Sequence, residues 1–138
     1  MSIEVCWDNL SKTILYTKIC GEWTWEEMYA VSEKSIVMRQ SVTHKVGSIV
    51  DFSEAKGLPG GAISHAKNII RKQEDHARIT VFVGSNYAFK SLWNVLISVY
   101  GFFIRSQEFR FAACLPEARE YLHDKMAAKL AIRAEFQT

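Results

Sequence analysis

The sequence predicts a single α/β domain over 1–138, in which a mixed, mostly parallel sheet is flanked by helices. Short apolar strands alternate with amphipathic helical segments, which is typical of parallel βα units. The first two strands, Ile3 to Trp7 and Thr13 to Ile19, are separated by turn residues alone, which indicates an antiparallel ribbon. A chain of 138 residues with 49% hydrophobic content is sufficient for one core.

Composition and charge exclude several classes of protein. The chain has 17 basic and 15 acidic residues without a concentrated basic stripe, so nucleic acid is not an expected partner. It is too apolar for disorder and, with 23% charged residues, too polar for a membrane protein. The N-terminus lacks the pattern of a secretory signal, and the three cysteines have no CxxC spacing. We therefore expect a cytoplasmic protein with buried free thiols and no metal or cofactor.

The first helix is predicted from the residues at its start. Thr24 and Glu27 have the spacing of a capping box, and Trp23 has the position of a hydrophobic staple. The helix should end near Arg39. The pair Trp23 and Trp25 suggests a platform for a ligand, but packing at the start of the helix is favoured because the staple already explains Trp23. The residues expected to face inward are Met28, Val31 and Ile36, with Ser32 and Ser35.

The stretch Val46 to Lys72 joins a strand, a loop and a helix. Its apolar run to Phe52 predicts a strand buried on both faces. Ligands of α/β sheets bind at the carboxyl ends of such strands. A Pro-Gly-Gly turn then leads into an amphipathic helix over Ala62 to Gln73. We expect partner or ligand binding at this junction, on Asp51, Ser53, Leu58, Pro59, Gly60, Gly61, Ser64 and His65.

The same junction contains the residue types of a catalytic triad. Asp51, Ser53 and His65 lie close in sequence, yet the chain has no GxSxG nucleophile elbow, P-loop or GxGxxG motif. Asp51 is interpreted as a cap for the loop backbone, and His65 as a solvated or capping side chain. None of the four histidines has metal-ligand spacing to another. We expect no enzymatic activity.

After a strand over Arg78 to Val83, the segment Tyr87 to Phe103 predicts a helix that is apolar on nearly all sides. Polar breaks such as Asn94 make it fall short of a membrane span, so stable membrane insertion is not expected. One face should meet the sheet, and the other must be covered within the monomer, by a second subunit or by an apolar ligand. We predict a homodimer through this surplus face. A ligand bound there instead would contact Trp93, Leu96 and Tyr100.

A strand over Glu108 to Cys114 and a helix from Leu115 complete the order β-β-α-β-α-β-α-β-α. Four stretches carry a likeness to a known fold: Val50-Asp51-Phe52-Ser53, Pro59-Gly60-Gly61, Val81-Phe82-Val83-Gly84 and Leu115-Pro116-Glu117-Ala118. From Ile3 to Leu122 the chain resembles a SpoIIAA-like domain, the fold of STAS domains (sulphate transporters and anti-sigma factor antagonists). The turn Gly21 to Trp25 resembles an uncharacterised bacterial branch of these proteins.

The resemblance implies a cytosolic, non-enzymatic domain that binds a protein, a nucleotide or an apolar molecule at the loop before the second helix. Anti-sigma antagonists carry a phosphorylated hydroxyl in that loop, whereas Pro59-Gly60-Gly61 takes those positions here without one. Ser53 and Ser64 flank the loop but do not match, so the usual phosphorylation switch is not expected. A broad similarity to Sec14-like lipid-binding domains implies an apolar ligand as the alternative.

Two functions from different classes follow. The favoured one is a regulatory module in which a protein partner docks on the loop 53–64 and the following helix, which predicts a convex surface without a deep pocket. The alternative is a carrier or sensor of a small apolar ligand, which predicts a cavity between the 87–103 helix and the sheet.

Overall fold

The computed structural model describes residues 2–73, 79–84, 90, 94, 98 and 108–137, with residues 127–137 described by their backbone alone. The elements in chain order are β1 (Ile3–Trp7), β2 (Ile14–Gly21), α1 (Trp25–Gln40), β3 (Gly47–Ala55), α2 (Ala62–Lys72), β4 (Ile79–Val83), β5 (Glu108–Ala112) and α3 (Leu115–Gln137). The predicted ligand contacts Trp93, Leu96 and Tyr100, and most of the predicted 87–103 helix with its dimer face, lie outside the described residues.

The strands form one five-stranded sheet in the order β1-β2-β3-β4-β5. β1 runs antiparallel to β2, and the three other pairs are parallel. The predicted ribbon and the mostly parallel sheet are therefore confirmed. Because each parallel connection carries the chain to the neighbouring strand, the carboxyl ends of β2, β3 and β4 meet at one edge of the sheet.

Helices cover both faces of the sheet. α3 packs on one face, where Ala118 and Leu122 meet Ile49 and Val81. α1 lies on the other face, where Val31 joins the cluster of Leu15 and Ile19, and α2 places Ile70 beside Phe82 on that same face. β3 is thus buried on both sides, which explains its nearly continuous apolar sequence.

The start of α1 agrees with the sequence, and its buried face agrees in part, since Val31, Ser32 and Ser35 are buried as expected. The Thr24 hydroxyl accepts a hydrogen bond from the Glu27 amide at 3.2 Å, as an N-cap should. Four residues of the helix are buried: Val31, Ser32, Ser35 and Arg39. The expected inward residue Ile36 is half-buried instead. The helix therefore presents a polar stripe that ends in an arginine to the interior.

The prediction of buried thiols was wrong. Cys6, Cys20 and Cys114 are free and exposed. Cys6 and Cys20 occupy outward positions on β1 and β2, where buried residues alternate with exposed ones, and Cys114 follows β5. In the described part of the chain, no helix combines the length and apolar character needed to cross a bilayer.

Candidate functional site

Asp51, in the middle of β3 and at the last position of β3 that pairs with β4, is the centre of a hydrogen-bonded group. The Tyr16 hydroxyl, on neighbouring β2, donates to its Oδ2 at 2.5 Å. Its Oδ1 accepts from the Ser53 amide at 2.9 Å and from the Ser53 hydroxyl at 2.5 Å. The carboxylate is 5% exposed. Asp51 was expected to cap the loop, but its partner Ser53 lies within β3, which continues to Ala55, so the carboxylate fixes the strand itself.

The protonation of this group favours a fixed carboxylate. Burial by itself raises the pKa of Asp51, but the hydrogen bonds from Ser53 and Tyr16 outweigh it and lower that pKa below its ordinary value. Burial and the hydrogen bond to Asp51 raise the pKa of the Tyr16 phenol. Tyr16 thus remains a proton donor to an ionised Asp51 at neutral pH, which is a structural role.

The loop after β3 is held by two indole groups at the start of α1. Trp23 Nε1 donates to the Gly57 carbonyl at 3.1 Å, and Trp25 Nε1 donates to the Pro59 carbonyl at 3.2 Å. Gly57 and Gly61 have positive φ angles of 63° and 74°, which glycine adopts at low cost. The two tryptophans therefore hold the loop backbone by hydrogen bonds in addition to packing at the start of the helix.

His65 belongs to an aromatic group and not to a triad. Its Nδ1 shares a hydrogen bond with the Tyr29 hydroxyl at 2.8 Å, and its ring stacks on Trp25 with centroids 5.4 Å apart. No hydrogen bond between described residues joins His65 to Asp51 or Ser53. The remaining predicted positions divide by exposure. Gly60, Gly61 and Ser64 are exposed, whereas Leu58 and Pro59 are half-buried.

A cavity of about 140 Å³ lies between the sheet, α1 and α2, and it is partly open to solvent. Most of its lining is apolar, and it includes the rings of five aromatic residues, namely Trp23, Trp25, Phe52, Phe82 and Phe109. Leu58 is the predicted site residue that reaches this cavity. The loop 53–64 therefore forms part of its boundary.

The other end of the cavity is polar. Ser32, Ser35 and Arg39 line it from α1, and Gln73 lines it from the end of α2. From the sheet, the lining includes the hydroxyl residues Thr17, Ser48 and Thr80. The sequence analysis expected Ser32 and Ser35 to face inward but missed Arg39, although the three have the i, i+3, i+7 spacing of one helix face.

A second depression, of about 370 Å³, lies between β5 and α3. Exposed charged side chains such as Arg110, Glu117 and Glu120 line it. Arg110 donates to the Tyr121 hydroxyl at 3.0 Å, so its charge has a polar neighbour. Within the described residues, no group of three or more His, Cys, Asp or Glu side chains could hold a metal ion.

Comparison with known proteins identifies the fold. No protein-family model matches the sequence, and no curated protein matches it. Among solved structures, the chain is similar to an uncharacterised protein of the DUF3478 family, with a SpoIIAA-like fold, from Shewanella loihica PV-4. The TM-score is 0.59 at 19% sequence identity, over 87% of this chain and 91% of that chain. The likeness shows that this chain has a SpoIIAA-like fold.

Proposed function

We propose that this SpoIIAA-like domain is a non-enzymatic binding module, a carrier or sensor that holds a small amphipathic molecule between α1, α2 and the sheet. The observation that carries the proposal is the cavity of about 140 Å³, whose lining combines aromatic rings with buried polar groups. A pocket with an apolar lining and a few converging polar groups is the usual form of a small-molecule site.

The size of the cavity supports a ligand. Protein interiors are packed as densely as organic crystals, and empty space lowers stability. Apolar side chains that line such a space lose packing partners unless a ligand fills it. An apolar cavity of about 150 Å³ is known to bind benzene, so a cavity of this size can hold a ligand of about one aromatic ring.

The second candidate function is docking of a protein partner on the loop 53–64, and one observation connects it to the first. Trp23 and Trp25 line the cavity and also donate to the loop carbonyls of Gly57 and Pro59. A ligand that moves either indole would shift the loop backbone. Docking on the exposed loop residues would then depend on whether the cavity is occupied, which is the logic of a ligand sensor.

Cavity filling tests the ligand proposal. Ala66 lines the cavity from α2, so Ala66→Leu should occupy part of the space. We expect this variant to be more stable than the wild type by about 0.5–2 kcal/mol, as cavity-filling substitutions commonly are. We also expect it to lose binding of toluene, a neutral one-ring probe, measured by protein-observed NMR and tryptophan fluorescence.

The matched control is Ala62→Leu, one turn earlier on α2 and outside the cavity lining. It should bind toluene as the wild type does. The proposal fails if the wild type shows no toluene binding at millimolar concentration, or if Ala66→Leu binds toluene unchanged. Native mass spectrometry of gently purified protein provides an independent measurement, because a co-purified small molecule that Ala66→Leu no longer retains would support the cavity as its site.

A further inference from the structure

The polar end of the cavity contains a buried positive charge. Arg39 lies in the last turn of α1, lines the cavity and is 7% exposed. Its position at the helix C-terminus provides a small stabilisation from the backbone dipole. Removing a guanidinium from water costs far more than that unless an opposite charge accompanies it.

No such charge accompanies Arg39 among the described residues. None of the ion pairs described includes it, and the described cavity lining contains no aspartate or glutamate. Its Nη1 donates to the Gln73 Oε1, and its buried Nε has no partner. Burial lowers the pKa of Arg39 to about 10, so the group is still charged at neutral pH.

The neighbours of Arg39 hold it in place without neutralising it. The Gln73 Nε2 donates to the Ser32 hydroxyl at 2.8 Å and to the Ser35 hydroxyl at 3.0 Å, and it also reaches the Ser32 carbonyl at 3.2 Å. The amide oxygen of Gln73 is thereby directed to the guanidinium. All these partners are neutral, so the described residues around Arg39 leave its positive charge without a counter-charge.

We propose that the cavity binds a small aromatic carboxylate whose charged end pairs with Arg39, an inference that rests on the proposed function and names its ligand class. The carboxylate supplies a counter-charge, and guanidinium with carboxylate forms charge-assisted, often bidentate hydrogen bonds that are stronger than neutral ones. The ring packs against apolar side chains of the same lining, such as Phe109, which pairs in register with Thr80. A volume of about 140 Å³ limits the apolar body to about one ring.

The test compares phenylacetate with phenylacetamide, a neutral probe of nearly the same shape, by NMR titration at pH 7. We expect the wild type to prefer the carboxylate by about tenfold or more, because hydrogen bonds to charged groups are worth more than neutral ones. Arg39→Met should remove this preference while leaving phenylacetamide affinity within about threefold, since that probe makes no ion pair. Thermal unfolding verifies that the variant folds, and we expect no loss of stability because a buried unpaired charge is removed.

A second variant tests the charge without removing the arginine. Ser35 lies four residues before Arg39 on the same buried face, so Ser35→Asp places a carboxylate within reach of the guanidinium. This internal counter-charge should abolish the preference for phenylacetate. The control is Arg110→Met, which changes an arginine of β5 that lies beside α3 and outside this cavity. This variant should keep the preference for phenylacetate.

The outcomes separate the inference from the proposed function. If toluene and phenylacetamide bind but phenylacetate binds no more tightly, the anion inference fails and the binding function stands. The inference also fails if Arg39→Met or Ser35→Asp keeps the preference. If toluene, phenylacetate and phenylacetamide all fail to bind the wild type, the inference and the proposed function fail together.

Discussion

At the residue scale, Asp51 shows how an acid at a functional position can be structural. Asp51 is the acid of the Asp-Ser-His set at the sheet edge where α/β proteins bind their ligands. All three of its hydrogen-bond donors are nevertheless groups of Tyr16 and Ser53. The carboxylate joins β2 to the middle of β3 and leaves His65 to a different group of side chains. Its energetic contribution is therefore to folding.

We predict that Asp51→Asn lowers the free energy of unfolding at pH 7 by about 1–3 kcal/mol, because a buried charge-assisted network is weakened. The pKa of Asp51 in the folded protein lies below its ordinary value of 3.8. Its stabilising effect is thus complete above the unfolded-state pKa and is lost as pH falls through the folded-state pKa. Urea unfolding between pH 2 and pH 7 should show the two proteins converge at the acidic end.

The control for this measurement is Asp124→Asn, which changes an exposed acid on α3. Its unfolding free energy should stay within about 0.5 kcal/mol of the wild type at pH 7. A constant gap between wild type and Asp51→Asn from pH 7 to pH 2 would contradict the role assigned to the Asp51 charge.

At the element scale, α1 contributes to both ends of the cavity. Tryptophans at and just before its first turn line the aromatic end and hold the loop after β3. Its last turn places Arg39 at the polar end. The helix is 16 residues long, which spans about 24 Å at the standard rise per residue.

We predict that Trp25→Phe loosens the loop without unfolding the domain. The phenyl ring retains much of the packing on His65 but cannot donate to the Pro59 carbonyl, so about 0.5–1.5 kcal/mol of local stability is lost. Hydrogen exchange followed by mass spectrometry should show faster exchange in the peptide covering residues 56–61. The control is Trp7→Phe, a change at a β1 residue that packs on the core cluster, and it should leave exchange in that peptide unchanged. Equal exchange in the two variants would contradict the role of the Trp25 hydrogen bond in holding the loop.

At the scale of the whole molecule, the cavity follows from small residues that face one another. Ser48 and Thr80 pair across β3 and β4, so two short side chains adjoin on the sheet. Ser32 and Ser35 line the cavity from α1. Dense packing needs large side chains to fill the spaces left by small ones, and here small residues line both sides. The cavity is thus encoded in the pattern of side-chain sizes across two layers.

The homodimer also belongs to this scale and remains a prediction. It depends on the surplus apolar face expected for the 87–103 segment, most of which lies outside the described residues. We expect a dimer by multi-angle light scattering at micromolar concentration, because an exposed apolar face of that length favours self-association. A measured mass of 15.8 kDa, that of one chain, would reject it.

Local patterns predicted the fold well because they depend on neighbours in sequence. Strand and helix periodicity gave the order of the described elements, and the capping residue Thr24 gave the start of α1. The predicted loop 53–64 is too long at both ends, because β3 continues to Ala55 and α2 begins at Ala62, but Leu58 within it lines the cavity. The exposure of Cys6 and Cys20 was mispredicted, because an apolar neighbourhood in sequence does not show which side of a strand faces outward.

By itself, the sequence determined the α/β class, the five strands, the resemblance to a SpoIIAA-like domain and the absence of the usual hydroxyl at Pro59-Gly60-Gly61. The tertiary structure decided where the cavity lies. The cavity forms only where α1, α2 and the sheet meet. In the sequence Arg39 is simply the residue near which the helix ends, whereas in the folded chain packing of the neighbouring elements makes it a buried charge. Packing across layers joins residues that are distant in sequence, and so periodicity along the chain does not reveal it.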